Sequence, residues 1–224
     1  MSEASDAATA AGVDIEFAPS VDELIEFLES IWGRGGDSTM YRAVAHAGNS
    51  VLLARRDGAV VGAALGVLGW ADGLHVHSHM VAVAQGSRSL GLGFAIKLAQ
   101  REQALEHGVT EMRWTFDPLI RRNAHFNLVK LGARVLAFHP NFYGTLADSI
   151  NGTDATDRFE VSWRLDAPVG RPPASGPVGF ALPADYEAMR RDDPDAAAAL
   201  RRSSGSAFAV LPHGLAPGGY VFVP

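Results

Sequence analysis

Apolar residues follow two rhythms along this chain, and the changes of rhythm mark its elements. Residues 20–32, SVDELIEFLESIW, put Leu24, Ile25, Leu28 and Ile31 on one helical face. Ser20 stands in the N-cap position with Glu23 three residues later, the spacing of a capping box. GRGGDS ends that helix, and 41–48 reads as a short helical turn. In 51-VLLARRDGAVVGAALGVLG-69 two apolar runs flank Asp57-Gly58, a two-residue hairpin signal, so strands are predicted at 51–56 and 59–69. WADG then turns the chain into a third strand, 74-LHVHSHMVAVA-84. Unbroken alternation along it would place His75, His77, His79, Val81 and Val83 on one face, and Val76, Ser78, Met80 and Ala82 on the other.

A helical period resumes through Leu92, Ala95, Ile96, Ala99, Gln103 and Leu105, and Gly108 stops it. A strand over 110–118 ends at Asp117-Pro118. A helix over 120–131 closes at Gly132, 133–144 holds a strand and a turn, and 158–165 alternates as a last good strand. After Leu165 the run APVGRPPASGP has linker composition. Beyond it lie one helix-like piece, 184–202, and a strand-like end, 219–224. The order helix, three antiparallel strands, helix, strand, helix, two strands predicts an α+β fold, with a mixed, mostly antiparallel central sheet flanked by helices. The expected organisation is a disordered lead-in at 1–13, a domain at 14–165, and an extension at 166–224 packed on that domain or on a dimer partner.

Composition narrows the function. At 224 residues, 47% hydrophobic and 20% charged, the chain suits a globular protein with a substantial core. A net charge of −6 gives no electrostatic support for binding nucleic acid. The absence of cysteine excludes a disulfide scaffold, a thiolate metal site and a cysteine nucleophile. No apolar run approaches the roughly 20 residues that span a bilayer, so no membrane role is expected. MSEASDAATAAGVD lacks the basic and apolar regions of a signal peptide, and the expected location is cytoplasmic.

The chemistry gathers at 88-RSLGLGFAIKLAQREQAL-105. Arg88, Gly91 and Gly93 form Arg-x-x-Gly-x-Gly at a helix start. That brings a cation, free backbone N–H groups and the positive end of a helix dipole to one place, a cradle for pyrophosphate. An ordinary strand-to-helix loop is the alternative. Position 96 is Ile, and the turn follows three antiparallel strands, so the pattern does not fit a dinucleotide-binding unit. The preceding strand carries three histidines and no carboxylate between Leu74 and Val83. Two same-face histidines, roughly 6.5–7 Å apart along a strand, can chelate a metal. With no cysteine or nearby carboxylate to complete a site, none is expected.

The turn, the element order and the end 128-LVKLGA-133 together resemble the GNAT (Gcn5-related N-acetyltransferase) superfamily. Nearly everything after residue 14 resembles one bacterial branch of it, through the strings 77-HSHMVAV-83, 113-RWTFDPL-119, 123-NAHFN-127 and 157-DRFEVSW-163. Some members of that branch are linked with N-succinylation of amino acids. The resemblance implies an acyl-CoA-dependent N-acyltransferase using acetyl-CoA or succinyl-CoA, a small amine acceptor, and a homodimer. It implies that N–H groups from Ser87 through Arg88, Ser89, Leu90, Gly91, Leu92 and Gly93 bind pyrophosphate with the Arg88 side chain, and that the backbone of Val81 and Val83 binds pantetheine.

Where typical members carry a glutamate on the strand, His77 stands here. His77 or His79 is the candidate base; structural, hydrogen-bonded histidines, with His75 exposed, are the alternative. Where they carry a tyrosine to protonate the thiolate, Leu128 stands here, so Tyr143, then Tyr41, are the candidate acids. Asn123 is a candidate for the pantetheine amides and, like Asn127, otherwise a capping residue. Asp117 reads as a helix cap. Arg113, Arg121, Arg122 and Arg158 are cations that could meet a dicarboxylic acyl group, and Trp114 and Phe116 fill the core or line the acyl pocket. A catalytically weak acyl-CoA-binding regulatory module is the rival reading.

Overall fold

A computed structural model describes residues 2–17, 20–33, 36–87, 91–144 and 154–222. The class is the expected α+β. Helices flank a mostly antiparallel seven-stranded sheet, and a separate three-stranded sheet lies near the C-terminus. The chain forms two compact units, 1–112 and 113–224, so the expected seam at residue 165 is not a structural boundary. Among the described residues no helix is long and apolar enough to cross a membrane.

The first unit holds α1 (Glu3–Ala11), β1 (Asp14–Phe17), α2 (Val21–Trp32), α3 (Ser38–His46), β2 (Val51–Arg56), β3 (Ala59–Gly69), β4 (His75–Val83) and α4 (Leu92–Glu106). β1 to β4 pair antiparallel in chain order. Asp57 and Gly58 both take positive φ, 50° and 79°, as a two-residue hairpin turn of the right twist requires. Val51 to Ala54 are at most 1% exposed because both faces of β2 are covered. Leu52 and Ala54 face Leu92, Ala95, Ile96 and Ala99 of α4. Val51 and Leu53 face Leu24, Phe27 and Leu28 of α2.

Two expectations fail here. Residues 3–11 are helical, not disordered. The Ser2 hydroxyl accepts the Ser5 N–H (3.2 Å), left-handed Gly12 closes the helix, and Ala4 and Ala11 are buried. The packing face is built from alanine, so it shows little hydrophobic contrast in sequence while allowing close approach to α4. The capping box of α2 is also absent. Ser20 makes no side-chain cap, and the Glu23 carboxylate instead accepts two hydrogen bonds from Arg55, at 2.9 and 3.0 Å.

The second unit takes most of β5 (Glu111–Phe116), then α5 (Arg121–His125) running into a π-helical turn at Phe126–Lys130, β6 (Arg134–His139), β7 (Arg158–Arg164), β8 (Phe180–Ala181), α6 (Tyr186–Asp192), α7 (Pro194–Ala207), β9 (Gly214–Ala216) and β10 (Gly219–Val221). The helix expected over 184–202 is broken at Asp193-Pro194. Pro194 cannot continue a helix but fits the first turn of the next, where Asp193 caps the Ala196 N–H (3.0 Å).

The extension packs within its own unit. Phe208 meets Phe159 at a ring-centroid distance of 4.6 Å, and Tyr220 meets Phe159 at 5.4 Å. The linker is also tied down. Gly170 and Arg171 donate to the carbonyls of Leu131 and Val129, at 3.2 and 2.8 Å. A Cβ on Gly132 would lie 2.9 Å from the Gly170 oxygen, and Gly132 has φ 79°, so both space and backbone require glycine there.

Candidate active site

In the first unit β4 is not an unbroken strand. Leu65 pairs with Met80 and the next residue, Gly66, pairs with Ser78, so His79 is the extra residue of a β-bulge. The bulge shifts the alternation by one. Ser78 reaches the α4 residues Lys97 and Gln100, and beyond the bulge Val81 and Val83 pack on that same α4 side. Met80 and Ala82 face the α2 side. The single face expected for the three histidines and both valines is therefore wrong beyond His79. A one-residue insertion exchanges the two faces of everything after it.

His77 and His79 lie together, with ring centroids 6.2 Å apart. His77 is half-buried. His79 keeps much of its surface exposed, yet burial of part of the imidazole holds its pKa below the usual histidine range. The ring is therefore neutral near pH 7 and able to accept a proton. His75 is buried, not exposed, and its Nδ1 lies 2.9 Å from the Gly73 carbonyl. The Tyr41 hydroxyl reaches Met80 Sδ on β4 at 3.9 Å.

Ser78 belongs to a buried polar chain that sequence reasoning missed. Its hydroxyl donates to Gln100 Oε1 (2.9 Å) and accepts from Lys97 Nζ (2.8 Å), while Gln100 Nε2 donates to Ser50 Oγ (3.3 Å). Burial pushes the Lys97 ammonium well below the usual lysine range. The available signal was Lys97 and Gln100 inside a helix that is otherwise apolar on two faces.

After β4, Gly91 caps α4 in the left-handed conformation, φ 79°, with no side-chain cap. Its carbonyl already accepts from the N–H groups of Phe94 and Ala95, both at 3.0 Å. The N–H groups of Leu92 and Gly93 have no acceptor among the described residues, so they stand at the positive end of the helix dipole as donors for an anion. Arg88, Ser89 and Leu90 lie outside the described residues. Ser87 just before them is held by Arg56, which donates to its hydroxyl (3.1 Å) and to the Ala11 carbonyl (2.8 Å) at the end of α1. Arg56 is thus a second cation of this turn, unmarked in the sequence because it sits in the hairpin.

In the second unit Asp117 does not cap a helix. It accepts the Leu119 N–H (2.9 Å) and a two-pronged bond from Arg201 on α7, at 2.9 and 2.7 Å. Arg201 also donates to Asp154 (2.8 Å), which accepts from the Tyr186 hydroxyl (2.9 Å). Burial opposes the charge on Arg201, but the Asp117 and Asp154 carboxylates outweigh it and raise its pKa. The exposed Tyr143 hydroxyl lies 3.1 Å from Thr115 Oγ1, with the Arg158 guanidinium 5.6 Å from its ring centre. Asn123 is half-buried, its side chain without a partner among the described residues. Asn127 accepts from Trp114 Nε1 (3.1 Å), a structural role. Arg122 pairs with Glu187, Arg121 is exposed, and Leu128, Trp114 and Phe116 belong to the core.

Residues 20–132, half of the chain, match the family model described as the Acetyltransferase (GNAT) family. No curated protein matches the chain. Among solved structures it is similar to Arabidopsis thaliana Naa50 in complex with the bisubstrate analogue CoA-Ac-MVNAL: 15% identity, TM-score 0.56, covering 67% of this chain and 97% of that one. It is similar to a GNAT-family acetyltransferase from Streptococcus pneumoniae, at 14% identity and TM-score 0.55, covering 68% and 98%. YncA from Salmonella typhimurium with its cofactor acetyl-CoA matches at 20% identity and TM-score 0.53, covering 72% and 99%. At these identities the likeness carries the fold.

Proposed function

Because the chain belongs to the GNAT acetyltransferase family, we propose that it is an N-acyltransferase, moving an acetyl or succinyl group from coenzyme A to the amine of a small molecule, with amino acids among the acceptors to test. The observation that carries this is the bulged β4, left-handed Gly91 and the amides of Leu92 and Gly93, which have no acceptor among the described residues. Two N–H groups at a helix start, without an acceptor among the described residues, fit the pyrophosphate of coenzyme A. Arg88 by sequence and Arg56 by position supply positive charge.

Acyl-CoA brings a thioester carbonyl; the amine forms a C–N bond to it as the C–S bond breaks. The chain's own residues must take a proton from the attacking ammonium and return one to the departing thiolate. Neutral His79, with His77 beside it, is suited to the first task. The hydroxyls of Tyr143 and Tyr41 are the candidates for the second. A backbone N–H beside the bulge would polarise the carbonyl, with the backbone of Val81 and Val83 along the pantetheine. The resemblance to a branch linked with amino-acid succinylation supports succinyl-CoA as a donor beside acetyl-CoA.

The rival reading, an acyl-CoA-binding regulatory module, draws on the missing carboxylate of β4 and on Leu128 in the core. Mass spectrometry of an amino-acid panel incubated with each donor separates the two, read beside thermal shift with the same donors. Acylated product supports the enzyme. A donor-induced shift without product in any pairing supports the module. No shift with either donor overturns the assignment of the turn. Gly91→Ala, strained at φ 79°, should weaken donor binding about tenfold.

A further inference from the structure

The β-bulge at His79 has a physical cause outside its own strand. Ser78 and Met80 are two residues apart, so in an unbroken strand their side chains would share a face. They do not. The Ser78 hydroxyl sits on the α4 side, between Lys97 Nζ (2.8 Å) and Gln100 Oε1 (2.9 Å). Met80 packs on the α2 side with the cluster of Leu24, Phe27 and Leu28, where the Tyr41 hydroxyl reaches its sulfur (3.9 Å). Meeting both demands takes one extra residue between positions 78 and 80, and only His79 stands there. We propose that Lys97 and Gln100, by holding Ser78 on the α4 side, fix the bulge at His79 and act as positioning residues for acyl transfer.

The polar chain closes on the facing strand. Gln100 Nε2 donates to Ser50 Oγ (3.3 Å), and the Ser50 carbonyl accepts from the Gly66 N–H (2.7 Å). Gly66 is the residue that pairs with Ser78. Gln100 thus links both strands at the point where the register shifts. A Cβ on Gly66 would lie 3.2 Å from Gln100 Nε2 and 3.0 Å from Val76 Cγ1, so a larger residue would crowd the amide.

Apolar packing does not choose this register by itself. If the bulge moved two residues back, to His77, then Val76, Met80, Val81, Ala82 and Val83 would all keep their present faces. Ser78 would turn to the α2 side and leave Lys97 and Gln100 without it. His79, the candidate base, would turn to the α4 side. Ser50, Ser78, Lys97 and Gln100 are each at most 8% exposed. Buried polar groups select a register because a shifted strand takes their partners away. The consequence for catalysis rests on the acyl-transfer reading; the choice of register does not.

The test is NMR of the full chain, with kinetics beside it. Nuclear Overhauser contacts between backbone protons report the pairs Leu65–Met80 and Gly66–Ser78 without any substrate. The wild type should show this one register. Gln100→Leu and Ser78→Ala should each add a second set of resonances, or exchange broadening, confined to residues 65–67 and 76–80, while the spectrum stays dispersed. Gln100→Glu should keep one register, since its carboxylate accepts from both serine hydroxyls. Kinetics use acetyl-CoA or succinyl-CoA, whichever gives product, with the amino acid that it acylates. Gln100→Leu and Ser78→Ala should lower kcat about 10- to 100-fold, as a misplacement near 1 Å does, with the donor KM little changed. Gln100→Glu should restore most of that loss. Lys97→Met should lower kcat while raising stability at pH 7, which a role in stability alone would not do. One unchanged register in both Gln100→Leu and Ser78→Ala overturns the proposal. So does wild-type kcat in both. A wild type that gives no product in any pairing overturns the acyl-transfer reading instead, and the register contacts still decide what Lys97 and Gln100 hold in place.

Discussion

Replacing Arg201 by Met tests whether the C-terminal extension holds the second unit together electrostatically. Arg201 is 4% exposed and makes three short bonds, 2.9 and 2.7 Å to Asp117 and 2.8 Å to Asp154. Methionine keeps much of the stem volume but leaves two nearly buried carboxylates without their main partner. Removing one side of a buried pair costs about 3–5 kcal/mol. Here Arg158 stays 3.9 Å from Asp117 and Arg190 3.7 Å from Asp154, so the loss belongs near the lower end, about 3 kcal/mol. For a unit of half the chain melting by itself this lowers Tm by roughly 13 °C, and by about 6 °C if all 224 residues melt as one. Urea unfolding followed by tryptophan fluorescence measures it, since Trp114 and Trp163 are buried within this unit. Adding Asp117→Asn and Asp154→Asn to Arg201→Met should recover part of the loss, because the stranded charges are then gone. A loss under about 1 kcal/mol, or none recovered in the triple variant, would refute the account.

Two titration predictions accompany this. Burial lowers the His79 pKa, so if His79 takes the ammonium proton, an acid limb of kcat/KM should lie below pH 6.5; His79→Gln should remove the limb and cut kcat/KM about 10²- to 10⁴-fold, and an unchanged profile would rule that role out. The folded pKa of Lys97 is depressed, so between that value and the unfolded one near 10.5 the unfolded chain binds more protons and stability rises with pH. Lys97→Met should flatten that rise by up to about 1.4 kcal/mol per pH unit and be more stable than wild type at pH 7; parallel urea-unfolding curves from pH 7 to 10 would contradict it.

Elements written in local periodicity were legible beforehand. The Asp57-Gly58 hairpin needs only two residues tolerating positive φ, and the helix from Leu92 onward needs only a glycine turn and an unbroken period. Features set by partners distant in sequence were not. The face assignment of β4 failed because a bulge depends on how Leu65 and Gly66 pair with it, and nothing in HVHSHMVAV announces an extra residue. Asp117 reads locally as a cap, while its partner, Arg201, lies 84 residues away. Residues 3–11 read locally as a disordered lead-in, because an alanine face becomes a packing surface only against α4.

The sequence alone therefore determined the class of the fold, the family resemblance and the place of the glycine turn. These rest on local conformational preference and on residues close together in the chain. Tertiary structure decided which face of β4 each side chain occupies, that Arg56 holds Ser87 at the turn, and that Phe180, Phe208 and Tyr220 of the extension complete an aromatic core with Phe138 and Phe159. Strand register and burial of charge are settled by contacts between distant segments, whose free energy no single stretch of sequence contains.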